Sequence, residues 1–461
     1  MRWVLPVAVA VAILTTTAAT ALANPGDTIW IKQFNGPGND VARATAVSPG
    51  GSTVFVTGES DSSTSGADYA TFAYSASTGT EIWAKRYDGM AHLNDRASAI
   101  GVSPDGTRVY VTGDSEIQLP GHLRSATVAY NASTGAQIWA RRFGVGTYQT
   151  RAFALAVGPQ GDRVYVTGPV TDQSNGPSDY QTVAYDASTG TELWAKRYNG
   201  PARSDDIPRA VGVNPNESEV YATGQSIGRG GAGYDYATVA YDASTGHRDW
   251  TTRYHGPSDD EASSLGVSPD GSMVYVTGFT FTATAADYKT IAYDASSGQE
   301  IWTRRYNGPG NGDDFALALS VAPDGSKVFV TGRSLGIESG ADFSTRAYDA
   351  VTGQKIWARR YNGPGNSLDM GLALGPSPGG DTIYVTGSSV GSSSGEDYAT
   401  KAYAASTGHD IWTRRYNGPG NLADRALALA VNPDGGAVYV TGFISQSTKP
   451  RLDYATIAYS A

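Results

Sequence analysis

Acidic side chains are the chemically able residues that recur at fixed spacing in this sequence. An Asp stands nine residues before the Pro of a tight-turn motif in seven repeats, as Asp40, Asp95, Asp206, Asp260, Asp314, Asp369 and Asp424, with Thr150 in the remaining one. Set around an axis, these positions would ring one mouth of a channel and could hold a hard cation such as calcium, which takes several carboxylate oxygens. The structural alternative is that each Asp accepts hydrogen bonds from loop N–H groups of its own repeat, and near-symmetric repetition favours it. A second series, Asp68, Asp179, Asp235, Asp287, Asp342, Asp397 and Asp453, opens a later strand of each unit and carries the same preference. Other chemistry is sparse. The His residues (His92, His122, His247, His255 and His409) are scattered singly, without zinc-ligand spacing. There is no G-x-S-x-G elbow, and the Gly-rich stretch 228–233 has no helix after it to cradle a phosphate. Cysteine is absent, which excludes disulfides and thiolate metal sites.

The elements that must position these groups are set by an internal repeat. Trp30, Trp83, Trp139, Trp194, Trp250, Trp302, Trp357 and Trp412 follow one another at intervals of 52 to 56 residues, and the only other Trp is Trp3. Each unit reads as four short strands, as in 209–215, 219–224, 236–242 and 247–254. Turns such as Ser103-Pro104-Asp105-Gly106 and Asp186-Ala187-Ser188-Thr189-Gly190 separate them, with Pro fixing φ and Gly accepting a left-handed conformation. Four antiparallel strands repeated eight times predict an all-β, eight-bladed propeller. Residues 29–34 form a fourth strand without its first three, and 454–461 a third strand without its fourth. Two open sheet edges would invite aggregation, so the N-terminal strand is expected to complete the last blade. Residues 24–461 then form a single domain, preceded by a signal peptide over 1–23 with Arg2, an apolar run and an Ala21-Leu22-Ala23 cleavage site.

A net charge of −10 argues against nucleic acid as a partner. Paired basic residues on the outer strands, such as Arg141-Arg142 and Arg304-Arg305, read as charge that blunts an edge strand. What every copy shares maintains the fold, and what differs is free to serve function. The loops joining second to third strands, and one blade to the next, differ most and share one face, where binding usually resides. The residue after each VTG strand varies there (Glu59, Asp114, Pro169, Gln225, Phe279, Arg333, Ser388, Phe443), and Tyr148, Tyr234 and Phe281 are further off-pattern aromatics. Phe279, Phe281, Phe443, Tyr148, Tyr234 and Arg333 are therefore the ligand-face candidates, for an extracellular protein or a glycan.

The pattern Ala184-x-Asp186-x-x-Thr189-Gly190-x-x-x-Trp194 resembles the tryptophan-docking motif of quinoprotein dehydrogenase propellers and their non-enzymatic relatives, and recurs from Ala240 to Trp250 and Ala347 to Trp357. The stretch 268–278 resembles the YVTN and SBBP-type bacterial propeller repeats. The quinoprotein resemblance implies pyrroloquinoline quinone, a bound calcium and a catalytic Asp. The chain lacks the adjacent cysteines of many such enzymes, their long insertions, and any Trp outside the repeat to stack on the cofactor. The reading is a secreted, non-enzymatic binding or scaffold propeller, monomeric and without a transmembrane segment once the signal is cleaved. A quinone- or calcium-dependent oxidoreductase and a carbohydrate-active enzyme are the alternatives.

Overall fold

The computed structural model describes residues 23–117, 122–144, 148–172, 176–229, 233–446 and 451–461. The expected signal peptide lies outside them except for Ala23. Eight sheets follow one another around a ring. Blade 1 consists of Asp40–Val47, Thr53–Asp61, Ala67–Ser75 and Glu81–Tyr87, in that order from the axis outwards. Later blades repeat this antiparallel arrangement; in blade 3 the first strand is split into Gln149–Thr150 and Ala154–Val157. Among the described residues no helix is long and apolar enough to cross a membrane.

Thr28–Phe34 pairs antiparallel with Leu452–Ser460, so the first strand of the chain is the outer strand of the eighth blade. The expected closure is what the structure shows. Gly26 N donates to Ser460 O (2.8 Å) and Ser460 N to Asp27 O (2.8 Å), tying the two ends of the chain together.

Alternation explains why each sheet is buried on both faces. Val, Tyr and Ala of the second and third strands point to opposite neighbours, and residues such as Val54, Phe55, Tyr69 and Ala70 are 0–1% exposed. Buried hydroxyls are paired within the blade: Thr57 with Thr71 (2.9 Å), Thr223 with Thr238 (2.9 Å) and Thr441 with Thr456 (2.8 Å). Each blade is joined to the next by its Trp. The indole lies between an aromatic of its own second strand and a Tyr of the next blade's third strand, as Trp83 does between Phe55 (5.9 Å) and Tyr130 (6.1 Å). Its N–H donates to a backbone carbonyl of that next blade, for example Trp83 to Ala132 O (2.9 Å) and Trp302 to Ala350 O (2.8 Å). The ring rests on the Gly of the second tight turn. A Cβ at Gly79, Gly190 or Gly353 would stand 2.7, 2.6 and 2.5 Å from the ring, and φ there is 67–69°. Only Gly fits both demands. At the last junction Gly26 takes this place against Trp412.

The basic pairs of the outer strands are clamps, which differs from the edge-charge reading. The first member crosses the junction: Arg304 donates to Gly353 O and Thr352 O (both 2.7 Å), and Arg414 to Gly26 O (2.7 Å). The second holds the Asp that opens the third strand of its own blade, as Arg360 holds Asp342 and Arg415 holds Asp397, each at 2.7 Å.

Residues 24–34 supply both the eighth outer strand and the glycine beneath Trp412. Removing them should lower the melting temperature sharply, because losing a buried Trp alone costs about 3–5 kcal/mol out of a typical total of about 5–15 kcal/mol. Calorimetry of the truncated chain checks this, and an unchanged cooperative transition would refute the closure.

Candidate functional site

The face with the longer loops is built where each first strand begins and each second strand ends. Asp40 pairs with Ser60 and Val41 with Glu59, so the variable residue after VTG lies beside the residue following the repeated Asp. The same register sets Arg96 against Asp114, Glu261 against Phe279, Phe315 against Arg333, and Arg425 against Phe443. One residue further on, a β-bulge interrupts the ladder between Ala42 and Ala44, and at equivalent points of other blades. The extra residue is free to project towards the axis. Arg43, Ser98, Arg209 and Ser263 occupy that position in blades 1, 2, 4 and 5, and Leu317, Leu372 and Leu427 in blades 6 to 8.

The mouth is divided by chemistry. On one side ion pairs line the mouth: Glu59 receives Arg43 of its own blade (2.7 Å) and Arg96 of the next (2.8 Å), and Arg151 reaches Asp114 of the preceding blade (2.6 Å). On the other, Phe279, Phe281 and Phe315 cluster edge to face, with centroids 4.7 Å apart for Phe279–Phe315 and 5.7 Å for Phe279–Phe281. The Arg333 guanidinium covers Phe315 at 4.4 Å. Between the two sides a cavity of about 430 Å³ is lined by Ser98, Phe153, Arg209, Glu261, Ala262, Ser263 and Phe279. Burial raises the Glu261 carboxyl, with Arg209 opposing that shift. The arrangement offers rings for an apolar group, a guanidinium above them, and a cavity wall with one base and one acid.

Of the candidates read from sequence, Phe279, Phe281 and Arg333 come together, and Phe315 completes their cluster. Phe443 lies on the same face beside Arg425. Tyr148 lies instead at the junction of blades 2 and 3, under the Arg197 guanidinium (5.8 Å), and Tyr234 lines a separate cavity with Pro201 and Asp259. Phe315 escaped the reading, although its position is as varied from blade to blade as the one after VTG.

The repeated carboxylates do not form an open ring at the mouth. Asp40, Asp95, Asp206, Asp260, Asp314, Asp369 and Asp424 are 0–1% exposed. Each accepts the N–H of a Gly in the loop entering its blade: Gly36, Gly89, Gly200, Gly256, Gly363 and Gly418 at 2.5–2.7 Å, and Gly308 in the same way. The loop chain passes too close for a side chain, since a Cβ at Gly89 would stand 2.6 Å from Asp95 Oδ1. Across each of these junctions the carboxylate meets one of the second series. Asp68 raises the Asp95 pKa, Asp235 that of Asp260, and Asp397 that of Asp424. Only the junction of blades 2 and 3 lacks the pair, and it lacks both members, with Arg124 and Thr150 in their places.

Burial first, then the facing carboxylate, pushes Asp95, Asp260 and Asp424 up to about 6; burial likewise pushes Asp179 up to about 6 against the pull of Arg197. Among the described residues two groups could hold a metal ion, Asp68–Asp88–Asp95 and Asp235–His255–Asp260, with ligand atoms within 4.8 Å of one another. An arginine already neutralises one carboxylate in each, Arg86 on Asp68 (3.1 Å) and Arg253 on Asp235 (2.7 Å). All eight described Trp rings are committed to blade junctions, each packed against a flanking aromatic.

Comparison with known proteins places this geometry. The sequence model of the family described as outer membrane protein assembly factor BamB matches residues 70–230, 123–332 and 238–451. No curated protein sequence matches. Among solved structures, BamB from Moraxella catarrhalis is 14% identical with a TM-score of 0.53, covering 95% of this chain and 100% of its own. Sqt1 of Chaetomium thermophilum, bound to the N-terminus of the ribosomal protein L10, is 13% identical with a TM-score of 0.58 over 95% of this chain and 100% of that one. A europium-containing methanol dehydrogenase is 11% identical with a TM-score of 0.57, over 94% and 93% of the two chains. At these identities the likeness is one of fold.

The buried carboxylates make a pH dependence that can be measured. Their folded pKa values lie above the unfolded value of about 4, so the folded state binds more protons between pH 4 and 6. Stability is then fully present below about pH 4 and is lost as pH rises through about 6. The melting temperature should rise on acidification from pH 7.5 to about 5. Asp95→Asn keeps an acceptor for Gly89 N–H and should stabilise the protein at pH 7.5 while flattening that slope. A steady fall in melting temperature over this interval, with Asp95→Asn destabilising at both ends, would contradict the assignment.

Proposed function

This chain belongs to the family of the outer membrane protein assembly factor BamB, and from that premise we propose that it is an exported binding propeller whose loop-rich mouth holds an extended segment of a partner protein. The observation that carries the reading is the divided mouth. Phe279, Phe281 and Phe315 form one compact aromatic patch, half-buried at their base, with Arg333 stacked on its edge. Clustered aromatics with an adjacent Arg are the composition of binding hot spots. The cavity of about 430 Å³ beside them admits one or two side chains of a ligand, and Arg209 and Glu261 on its wall can fix their polar ends.

Export rests on the N-terminal sequence, with its basic residue, apolar run and small-residue cleavage site. Sqt1, with its bound N-terminal segment of L10, illustrates that a ring of this shape can take a peptide. The same logic applied here favours a segment with apolar side chains for the aromatic arc. A glycan would use the rings by stacking but would leave the ion-paired half of the mouth unused.

Selection of displayed peptides on the immobilised protein, followed by calorimetry on synthetic versions, tests the reading. Selected peptides should carry aromatic or aliphatic anchors. Phe279→Ala and Phe315→Ala should each weaken them about thirtyfold, as losing a hot-spot ring costs about 2 kcal/mol. Selection of no peptide, with capture of oligosaccharides on a glycan array instead, would replace the protein partner by a glycan. Peptide affinities unchanged in both Phe variants would remove the mouth as the site.

A further inference from the structure

One junction of the ring departs from the other seven at three repeated positions, and the changes fall in one place. Arg124 replaces the Asp that opens the third strand, and Ser125 replaces the following Tyr. Thr150 replaces the Asp of the next blade, and Phe143 ends the outer strand where six blades have Tyr and blade 8 has Phe34. The Tyr matters most for space. Tyr69, Tyr180 and Tyr398 reach across their junctions and donate to Ala126 O, Ala237 O and Ala455 O at 3.0–3.1 Å. Ser125 cannot reach, and a cavity of about 420 Å³ remains between blades 2 and 3, lined by Arg142, Phe143, Tyr148, Gln181, Glu192 and Arg197.

Loss of the Asp has an electrostatic consequence. Arg86, Arg197, Arg253, Arg305, Arg360 and Arg415 each pair with the Asp of their own third strand. Arg142 is their counterpart in blade 2. It donates to the Tyr87 hydroxyl (3.1 Å), a contact that Arg253 and Arg360 also make with the Tyr of their preceding blade, but among the described residues it makes no ion pair, and the buried Asp95 of its own blade acts on it only at longer range. A guanidinium on a cavity wall without an ion-pair partner presents N–H donors that an anion can accept in bidentate fashion. Arg197, on the opposite wall, is already balanced by Asp172 (2.5 Å) and Asp179 (2.6 Å), so it adds positive potential without competing for the ligand.

We infer that the junction of blades 2 and 3 is a binding site for a small organic carboxylate, whose carboxyl group takes on Arg142 the place that Asp holds in the other blades. The walls define the rest of the ligand. Phe143 and Tyr148 offer rings for a flat or cyclic body. Gln181 gives its amide N–H to Lys196 O (3.0 Å) and keeps its carbonyl oxygen for a hydroxyl, and Glu192 at the far end accepts another. Size and chemistry suit an aromatic acid or a sugar acid of one ring. This site is independent of the central mouth, and neither reading stands or falls with the other.

Ligand-observed saturation-transfer NMR on the whole protein, with calorimetric titration, decides it. The probes are benzoate against benzamide and glucuronate against glucose. At least one carboxylate should bind, its neutral counterpart at least tenfold more weakly, and which one binds separates the aromatic from the sugar source. Arg142→Gln should abolish binding. The double change Arg124→Asp with Ser125→Tyr, which restores the repeat, should also abolish it while leaving the protein folded, as its melting transition will report. Binding of neither carboxylate, equal binding of the neutral probes, or binding that survives Arg142→Gln would each overturn the inference.

Discussion

An indole ring held against a glycine of the neighbouring blade is the contact on which this ring depends. A Trp buries about 150–250 Å², worth about 4–6 kcal/mol at about 25 cal/mol per Å², and the arrangement allows it only if the partner has no Cβ. Gly79, Gly190, Gly353 and their equivalents satisfy that condition with φ near 70°, a conformation that also suits the tight turn in which they sit. One residue thus closes a hairpin and receives a neighbour. Because a blade touches only the blades beside it, its stability is a sum of such junctions, and an open junction would leave Trp412 without its glycine. Gly26 fills that gap. The first residues of the described chain therefore act as the missing turn of the eighth blade as well as its missing strand.

A second constraint runs through the same junctions and opposes the first. Two carboxylates face each other across seven of them, buried, with one held by backbone N–H and the other, at six of the seven, by an arginine; Asp453, which faces Asp40, is held by Gln446 instead. Burial first, and then the like charge across the junction, raises the carboxyl of the member held by backbone N–H, to about 6 at Asp95, Asp260 and Asp424. The arginine is what keeps the pair tolerable. Its loss of a partner at Arg142 accompanies the simultaneous disappearance of both carboxylates, as expected if the three groups form one unit.

Much of this was legible in the sequence, and the reasons are specific. Trp marks register: with one Trp per unit, the stray strand at Ile29–Phe34 falls in blade 8 on the sequence alone. The pairing of the two Asp series was not legible as a pairing. Asp68 and Asp95 are 27 residues apart and belong to different blades, so their contact exists only in the ring. A signal was nonetheless present, because the exceptions Arg124 and Thr150 stand 26 residues apart and fall at the same junction. The basic pairs misled for another reason. An arginine on an outer strand has the same sequence appearance whether it is solvated or, like Arg359, crosses to Gly408 O at 2.7 Å. For the mouth, Phe279 and Arg333 could be found as departures from the repeat, but their convergence on Phe315 required the register that aligns the end of one strand with the start of another.

At the mouth, departures from the repeat fall at positions that neither constraint uses, whereas Arg124 and Thr150 fall within the second constraint at a single junction. The residue after VTG, the residue after the buried Asp, and the bulge residue all lie at strand ends on one face, away from the Trp–Gly contacts on the outer side. Substitution there changes what the mouth presents and leaves each junction intact. A ring with eight equal blades would offer a ligand eight equivalent orientations. Leu317, Leu372 and Leu427 along one arc, with Arg43, Ser98, Arg209 and Ser263 along the other, remove that equivalence. The segment proposed for the mouth would then satisfy both arcs in one orientation alone, apolar side chains over Phe279 and Phe315 and polar groups towards Arg209. The division of the mouth is thus a source of specificity that a perfectly regular propeller could not have, and it arises at positions where the ring tolerates change.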